Sequence, residues 1–134
     1  MLFVTSMAVS YFLDQEKVKK IARDSTAKSL VHMGYIVRKT SRDSMERGID
    51  GKPSDPGDPP NIQSGRLRRN VRVQELAWNH VQVFVNVKYA AIIELGDYYG
   101  HKVEARPYLV PALQKEYSRL PGMVSTELNT QAHW

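Results

Sequence analysis

The first residues of the chain alternate between apolar side chains and smaller or polar ones. Val9, Tyr11 and Leu13 follow this two-residue spacing, which predicts a short strand over Ala8–Leu13. Asp14 comes directly afterwards, in the position of a helix N-cap. The chain is therefore expected to pass from a strand directly into a helix.

A long amphipathic helix is predicted from Gln15 to about Arg47. Its apolar residues recur at helical spacing, and lysines and arginines occupy the other faces. The same pattern also fits two helices broken near Gly34. The apolar positions are Val18, Ile21, Ala22, Leu30, Met33, Ile36 and Val37.

Two stretches of alternating apolar residues, Arg66–Val73 and Val81–Lys88, predict an antiparallel hairpin. Phe84 and Arg69 break the alternation, since each falls on the wrong face of its strand. Two explanations remain open. Either the first stretch begins as a turn, or the second face of the sheet is covered by the long helix or by a neighbouring subunit.

Beyond the hairpin, Tyr89–Leu95 has the spacing of a short helix that Gly96 can end with a left-handed cap. His101–Ala105 is predicted to add one strand. Pro107 or Pro111 begins the last helix, because proline is tolerated in the first helical turn. The packing face of this helix is predicted to consist of Leu109, Ala112, Leu113 and Tyr117.

The order of these elements predicts an α+β fold. An antiparallel sheet of about three to four strands would be packed by the long N-terminal helix and by a C-terminal helix. Pro121 and Gly122 are expected to stop the last helix. One domain would thus occupy residues 1–120, and residues 121–134 would form a C-terminal tail.

The segment Gly48–Gln63 differs in composition from the rest of the chain. It contains four prolines and three glycines and has no apolar periodicity, which predicts a long mobile loop. Loops of this length are usually functional or disordered. Doubled back on itself, this loop would project about 20 to 25 Å from the body. Its candidate interaction residues are Gly48, Asp50, Lys52, Asp55 and Asp58.

The chain is basic, with 19 lysines and arginines against 14 acidic residues and a formal net charge of +5. Part of the excess lies in an arginine run, of which Arg66, Arg68 and Arg72 are candidate interaction residues. Such a run suits contact with nucleic acid or with an acidic protein surface. The alternative is a solvated helix face together with a few arginines in a protein interface.

Catalytic chemistry has little support in the sequence. The absence of cysteine excludes disulfides, thiol nucleophiles and thiolate zinc sites. The four histidines are far apart, and the sequence GIDGK lacks the spacing of a phosphate-binding P-loop. We therefore expect no catalytic residue, cofactor or metal, and no residue set supports a small hydrolase or nuclease. Glu94 and Arg106 are expected to form a buried structural ion pair.

No apolar run approaches the roughly 18 to 20 residues that cross a bilayer. The N-terminal segment also lacks the basic start and the small-residue cleavage site of a secretory signal. The sequence predicts a soluble protein, cytoplasmic where it is made and without a membrane partner.

Three short blocks, read in order, resemble the tail-component family of tailed bacteriophages, which are tail-completion or head-tail joining proteins. The first block is PGDPPNIQSGRLRRNV, the second is VNVKYAAIIELG, and the third is ARPYLVPAL. A short N-terminal strand before a long basic helix adds a weaker fourth likeness. The matching positions are Ser64, Gly65, Leu67, Tyr89, Ala90, Glu94, Gly96, Arg106, Pro107, Leu109, Pro111 and Ala112. The chain departs from the family's pattern at Leu95, where an aromatic residue is usual, and after Gly96.

This resemblance implies a structural protein of the virion and no enzymatic activity. Identical subunits would close a ring, for which a hexamer is one candidate size, at the neck or tail of a long-tailed phage. The partners would be other copies of the chain, the head connector and the tail tube, with DNA passing through the ring. The protein would assemble in the host cytoplasm and end in the virion. The rival function is that of a basic nucleic-acid-binding module.

Overall fold

The computed structural model describes residues 14–46, 53–62, 65–97 and 103–132. The predicted N-terminal strand Ala8–Leu13 lies outside these residues. The described elements, in chain order, are α1 Gln15–Ser44, α2 Arg66–Arg69, β1 Val71–Ala77, β2 His80–Val85, α3 Ala90–Leu95, α4 Val110–Glu116, a 3-10 turn Tyr117–Arg119 and α5 Leu120–Ala132.

Helix α1 begins at the predicted cap and is a single helix. The Asp14 carboxylate accepts hydrogen bonds from the backbone N–H groups of Glu16 and Lys17, at 3.1 and 3.2 Å. These bonds satisfy two amides that have no partner inside the helix. The helix continues through Gly34. Of the two predicted alternatives, one long helix is confirmed.

Gly34 serves close packing between α1 and the hairpin. A Cβ atom at this position would lie 2.8 Å from Cγ1 of Val73 and 3.0 Å from Cγ1 of Val81. Both distances are shorter than ordinary carbon contacts, which are about 3.5 to 4.0 Å. Only glycine lets the helix backbone approach the two strands so closely.

The predicted hairpin is confirmed, with β1 antiparallel to β2 and Val73 opposite Val83. Of the two explanations left open for the broken alternation, the first is confirmed, because the segment predicted as the first strand begins as a turn. Arg66–Arg69 is a helical turn that follows Gly65, whose φ of +77° favours glycine, and the strand begins only at Val71. The misplaced Arg69 is thus explained, because it belongs to a turn and not to the sheet.

Among the described residues, the sheet contains these two strands only. The first two residues of the strand predicted at His101–Ala105 lie outside the described residues, and residues 103–105 contain a single antiparallel bridge, from Val103 to Asp97. Helix α3 is confirmed. Gly96 ends it with φ +79° and ψ 164°, so the positive φ was predicted correctly but the left-handed helical cap was not.

The end of the chain differs most from expectation. Helix α4 starts at Val110 with Pro111 in its first turn, as predicted. The prediction that Pro121 and Gly122 stop the last helix is wrong, because the described part of the supposed tail is helix α5, Leu120–Ala132. Pro121 lies in the first turn of α5, where its missing N–H costs nothing. The helix packs along α1.

A buried carboxylate connects α1 to α4. Glu116 is 8% exposed and accepts hydrogen bonds from the Thr40 hydroxyl at 2.8 Å and from Nη1 of Arg119 at 3.0 Å. The bonds from Arg119 and then Thr40 hold the pKa of Glu116 below its ordinary value of 4.5. Glu116 is therefore a charged but satisfied element of the packing.

Helix α1 contacts both strands of the hairpin and also helices α4 and α5. One core cluster joins Met33 and Val37 to Ala112 of α4. The second joins Met45 and Val71 to Tyr108, which is 2% exposed and donates its hydroxyl to the Ala90 carbonyl at 3.1 Å. The fold is α+β, with a long N-terminal helix, an antiparallel two-stranded sheet and C-terminal helices.

None of the helices in the described part of the chain has the length and apolar character needed to span a membrane.

Candidate functional site

The Glu94 carboxylate fixes the start of α4 against α3. One of its oxygens accepts from the backbone N–H groups of Tyr108 and Leu109 at 2.7 and 3.0 Å, and the other accepts from Val110 at 2.9 Å. A negative charge at a helix N-terminus is favoured by the partial positive charge of the exposed amides. The predicted ion pair between Glu94 and Arg106 is wrong, because the carboxylate is committed to backbone amides.

Arg106 instead holds the proline-rich segment. Its Nε donates to the Ser54 carbonyl at 2.9 Å, and its Nη1 donates to the Glu104 carbonyl at 3.3 Å. Its own backbone N–H donates to the Ile93 carbonyl at 2.7 Å. A single arginine thereby connects α3, the turn before α4 and residues 53–62.

Further backbone hydrogen bonds attach residues 53–62 to the body. Gly57 N–H donates to the Ala105 carbonyl at 2.9 Å, and Ile62 N–H donates to the Glu46 carbonyl at 2.7 Å. Pro60 is buried. This part of the predicted loop therefore lies along the body and does not project from it, although its composition gave no sign of such an attachment.

Of the interaction residues predicted in the loop, Gly48, Asp50 and Lys52 lie outside the described residues. Asp55 and Asp58 are exposed at a turn closed by a hydrogen bond between Asp58 N–H and the Asp55 carbonyl, at 3.1 Å. Their charges face solvent, which agrees with a solubilising role.

Between this segment and α2–α3 is a cleft of about 260 Å³. Part of its lining is apolar and consists of Met45, Ile62, Leu67 and Ile93. All three sequence blocks contribute to it, through Leu67 in the first, Ile93 in the second and Arg106 in the third. We call this feature the arginine-rimmed cleft, because Arg66, Arg68 and Arg106 also line it.

The charged side chains among the described residues that line the cleft are three guanidinium groups. None of the described residues that line it is acidic. Arg68 donates Nε to the Arg42 carbonyl at 3.1 Å, while its Nη2 lies 3.9 Å from the exposed Asp43 carboxylate. Burial first, and then the guanidinium groups of Arg38 and Arg68, lower the pKa of Arg42. The C-terminal end of α1 is therefore an accumulation of positive charge.

The other residues predicted from the sequence are found in three places: the lining of the cleft, the exposed face of β1 and the turns next to α3 and α4. Gly65 and Tyr89 line the cleft, whereas Arg72 is exposed on β1 opposite Phe84 and lies outside it. Pro111 lies in the first turn of α4. Gly96 packs closely on the turn that contains Pro107, since a Cβ there would lie 3.0 Å from the Ala105 nitrogen.

Sequence reasoning missed Met45, Ile62, Ser54 and Arg42 as members of this region. Met45 and Ile62 had the only available signal, namely apolar residues at the edges of a polar segment. Ser54 contributes a backbone carbonyl, and any residue type can do so.

A second surface is formed by apolar side chains of the described residues that are a third or more exposed. On α4 and the turn after it, Val110, Leu113 and Tyr117 are 49%, 50% and 60% exposed and lie on one face at helical spacing. Leu113 and Tyr117 were predicted to pack inward, and this prediction is wrong. On α3, Ile92 and Leu95 are 36% and 70% exposed. We call these five residues the apolar stripes of α3 and α4.

Within residues 14–46, 53–62, 65–97 and 103–132, no group of three histidine or acidic side chains is placed to hold a metal ion. His32 and His80 are both exposed. The other two histidines, His101 and His133, lie outside those ranges.

The fold and the two surfaces define a small α+β domain built around one long helix. Comparisons with protein-family models, curated proteins and solved structures found no match for the chain.

Proposed function

We propose that the protein is a structural component of a tailed-phage virion, a ring-forming neck or tail-completion subunit that caps the tail and joins it to the head. The observation that carries the proposal is the pair of apolar stripes on α3 and α4. Five exposed apolar side chains on two joined helices are the kind of surface that a partner covers. The motif resemblance supplies the identity of that partner, a second copy of the chain.

The two stripes are held in a fixed relation to each other. Glu94 belongs to α3 and bonds the first amides of α4, so that Leu95 and Val110 flank one rigid joint. A surface ordered before assembly loses less conformational entropy when a partner covers it. The residues that match the phage family therefore have an architectural role in this proposal, with no reacting group among them.

Ring closure needs a heterologous contact, in which one face of a subunit meets a different face of the next. The stripes supply one face. The other can be an edge of the hairpin, because an added strand finds unpaired backbone groups at a sheet edge. A sheet of three to four strands, as predicted from the sequence, would then form across subunits.

In the assembled particle, the ring would contact the head connector on one side and the tail tube on the other. DNA would pass through its opening. The positive charge around Arg42 and Arg68 would then serve contact with an acidic protein surface or with the passing DNA.

A nucleic-acid-binding module is the second candidate, and one observation favours it. Arg72 lies opposite Phe84 in the hairpin register, which places a cation beside an aromatic ring. A single such pair is a small platform, since binding of single strands uses successive aromatic rings. The ring of Trp78 already makes a cation–π contact, because the Arg23 guanidinium lies 5.7 Å from its centre. We therefore rank assembly above nucleic-acid binding.

The test is the mass of the protein in solution over a hundredfold range of concentration, with electron microscopy of the largest species. We expect closed rings that Leu113→Glu abolishes. The matched control is Val18→Glu, since Val18 is also exposed, at 47%, but lies on α1 away from the stripes. A wild-type protein that stays monomeric throughout, or a control variant as disruptive as Leu113→Glu, would refute ring formation through α4.

The phage assignment has a test of its own. The coding sequence should lie among genes for a portal, a capsid and a tail-tube protein. If the protein forms rings but is encoded among other genes, the proposal of ring assembly stands and the proposed phage role fails. Tight DNA binding that falls steeply with salt, by a monomer, would favour the second candidate.

A further inference from the structure

The first thirteen residues differ in composition from the rest of the chain. Ten of them are apolar, the other three are Thr5, Ser6 and Ser10, and none has a charged side chain. Over the whole chain, 25% of the residues are charged. Because exposure of apolar side chains to water is unfavourable, these residues favour an apolar surface to pack against. We call residues 1–13 the apolar N-terminal segment.

The apolar stripes of α3 and α4 are a surface of matching chemistry. Their side chains are exposed, and Val110, Leu113 and Tyr117 follow one another along a single face. Gln114, which is also exposed and uncharged, lies among these three residues at helical spacing. An uncharged segment fits this surface better than a charged one, because covering a charge without a partner is costly.

The length of α1 determines which copy of the segment can cover the stripes. The segment ends next to Asp14, the N-cap of α1, whereas α4 is joined to α1 where the Thr40 hydroxyl donates to Glu116. Asp14 and Thr40 are 26 residues apart, which is about 39 Å along a helix. Fully extended, thirteen residues span at most about 43 to 47 Å. The segment would be used up in reaching α4 of its own chain, so it cannot lie along the stripes there.

A neighbouring copy removes this restriction. The segment joins α1 at one end and the stripes lie near the other end. Each copy can therefore receive the segment of one neighbour and give its own segment to the other neighbour. A contact of this kind is heterologous and can repeat from copy to copy until a ring closes.

We propose that residues 1–13 of one copy pack on the apolar stripes of α3 and α4 of the next copy. Val9, Tyr11 and Leu13, which share one face of the predicted strand, supply the contact with Leu113 and Tyr117. This inference rests on the proposed ring assembly and names the part of the neighbouring copy that covers the stripes.

The experiment uses single introduced cysteines, because the chain has none of its own. A full chain with Ser10→Cys is mixed with a full chain with Gln114→Cys and oxidised mildly, and the mixed dimer is identified by mass. A disulfide needs Cα atoms within about 7 Å, so it reports direct contact. Ser6→Cys is tested in parallel, because it probes the other half of the segment.

The matched control replaces Gln114→Cys by Ser125→Cys, a cysteine on the exposed face of α5. We expect the mixed dimer with Gln114→Cys to form about tenfold more than the dimer with Ser125→Cys, because docking raises the effective concentration of the two thiols. Adding Leu113→Glu to the Gln114→Cys chain should remove this excess.

A chain that carries both Ser10→Cys and Gln114→Cys distinguishes links between copies from links within one chain. Links between copies give a ladder of covalent oligomers that ends at the ring size, whereas a link within one chain gives a closed monomer. We expect the ladder. Val9→Ser together with Tyr11→Ser should remove most of it, whereas Tyr35→Ser, which removes a 51% exposed aromatic ring from α1, should leave it unchanged.

The possible failures are distinguishable. Rings that form without a link from either segment cysteine to Gln114→Cys would overturn this inference and leave ring assembly standing, with the hairpin edge or another part of the neighbouring copy on the stripes. A monomeric wild type without any link would overturn both proposals. A closed monomer would show that the segment covers its own chain, and equal linking to Ser125→Cys would reduce the contact to random collision.

Discussion

The joint between α3 and α4 depends on one side chain, and removing that side chain is the sharpest available test of the fold. Glu94→Ala deletes the acceptor of three backbone N–H groups, at 2.7, 3.0 and 2.9 Å. The amides of Tyr108 and Leu109 are partly buried, whereas that of Val110 is exposed and can bond to water. The loss should therefore come mainly from two of the three bonds.

The magnitude follows from those two bonds and the helix terminus. Each partly buried bond is worth about 1 kcal/mol, and the charge at the helix end adds about 0.5 kcal/mol. We expect Glu94→Ala to lower the free energy of unfolding by about 2 to 3 kcal/mol. With an unfolding entropy of about 2.1 cal/mol/K per residue, this corresponds to a fall in Tm of about 7 to 11 °C for 134 residues.

The assay is thermal and urea unfolding followed by circular dichroism, at one fixed protein concentration. Glu94→Gln keeps one carbonyl acceptor and loses the charge, so it should lose about half as much stability as Glu94→Ala. The matched control is Glu104→Ala, because Glu104 is exposed and its carboxylate has no hydrogen bond in the structure. It should change stability by less than about 0.5 kcal/mol. If Glu94→Ala and Glu104→Ala unfold at the same temperature, Glu94 is not the joint.

Three further predictions concern α1 and its neighbours. Gly34→Ala should destabilise the protein by about 1 to 2 kcal/mol because the added methyl group meets two strands, whereas Gly122→Ala, with nothing within 4 Å, should stabilise it by about 0.5 to 1 kcal/mol. Comparable urea midpoints for the two variants would contradict the close approach of α1 to the hairpin. Ser25→Ala removes a buried hydroxyl without a hydrogen-bond partner and should stabilise the protein by about 1 kcal/mol, more than Ser125→Ala on the exposed face of α5. A loss of stability in the same assay would show that the Ser25 hydroxyl has a partner. Because the folded-state pKa of Glu116 lies below 4.5, the stability that its charge contributes is complete above pH 4.5 and is lost as the pH falls through the folded-state pKa. The urea midpoints of wild type and Glu116→Gln should therefore differ at neutral pH and converge under acid.

The elements that the sequence predicted correctly are those set by local patterns. Asp14 caps α1, apolar spacing defines α1 itself, and alternation with an intervening turn defines the hairpin. Each of these signals is complete within a few neighbouring residues. Local pattern was therefore enough for the fold class.

The errors arise where the partner of a residue is distant or where one residue type has two uses. Proline and glycine at 121–122 were interpreted as a stop, although proline also fits the first turn of a helix, and α5 begins there. Glu94 was predicted to pair with Arg106 of the following basic segment, whereas it bonds to backbone amides, which every sequence has. Arg106 reaches a carbonyl 52 residues away, which no spacing rule reveals.

The cleft, too, was predicted only in its local parts. The three sequence blocks were identified, but their convergence was not, since it depends on backbone hydrogen bonds that bring residues 53–62 against the turn before α4. The exposure of Leu113 and Tyr117 was also unforeseen, because helical spacing identifies two apolar faces of α4 without stating which one faces the core.

The buried hydrophobic core of the described part of the chain is small, with six residues in two clusters along α1 and Ala90 buried in addition. A core of this size leaves a narrow margin over the conformational entropy lost on folding. Anything that covers the apolar stripes of α3 and α4 binds the folded state and not the unfolded one, and therefore adds to stability by mass action. The melting temperature of the protein would then rise with its own concentration, and a dilute sample would be the least stable form of the molecule.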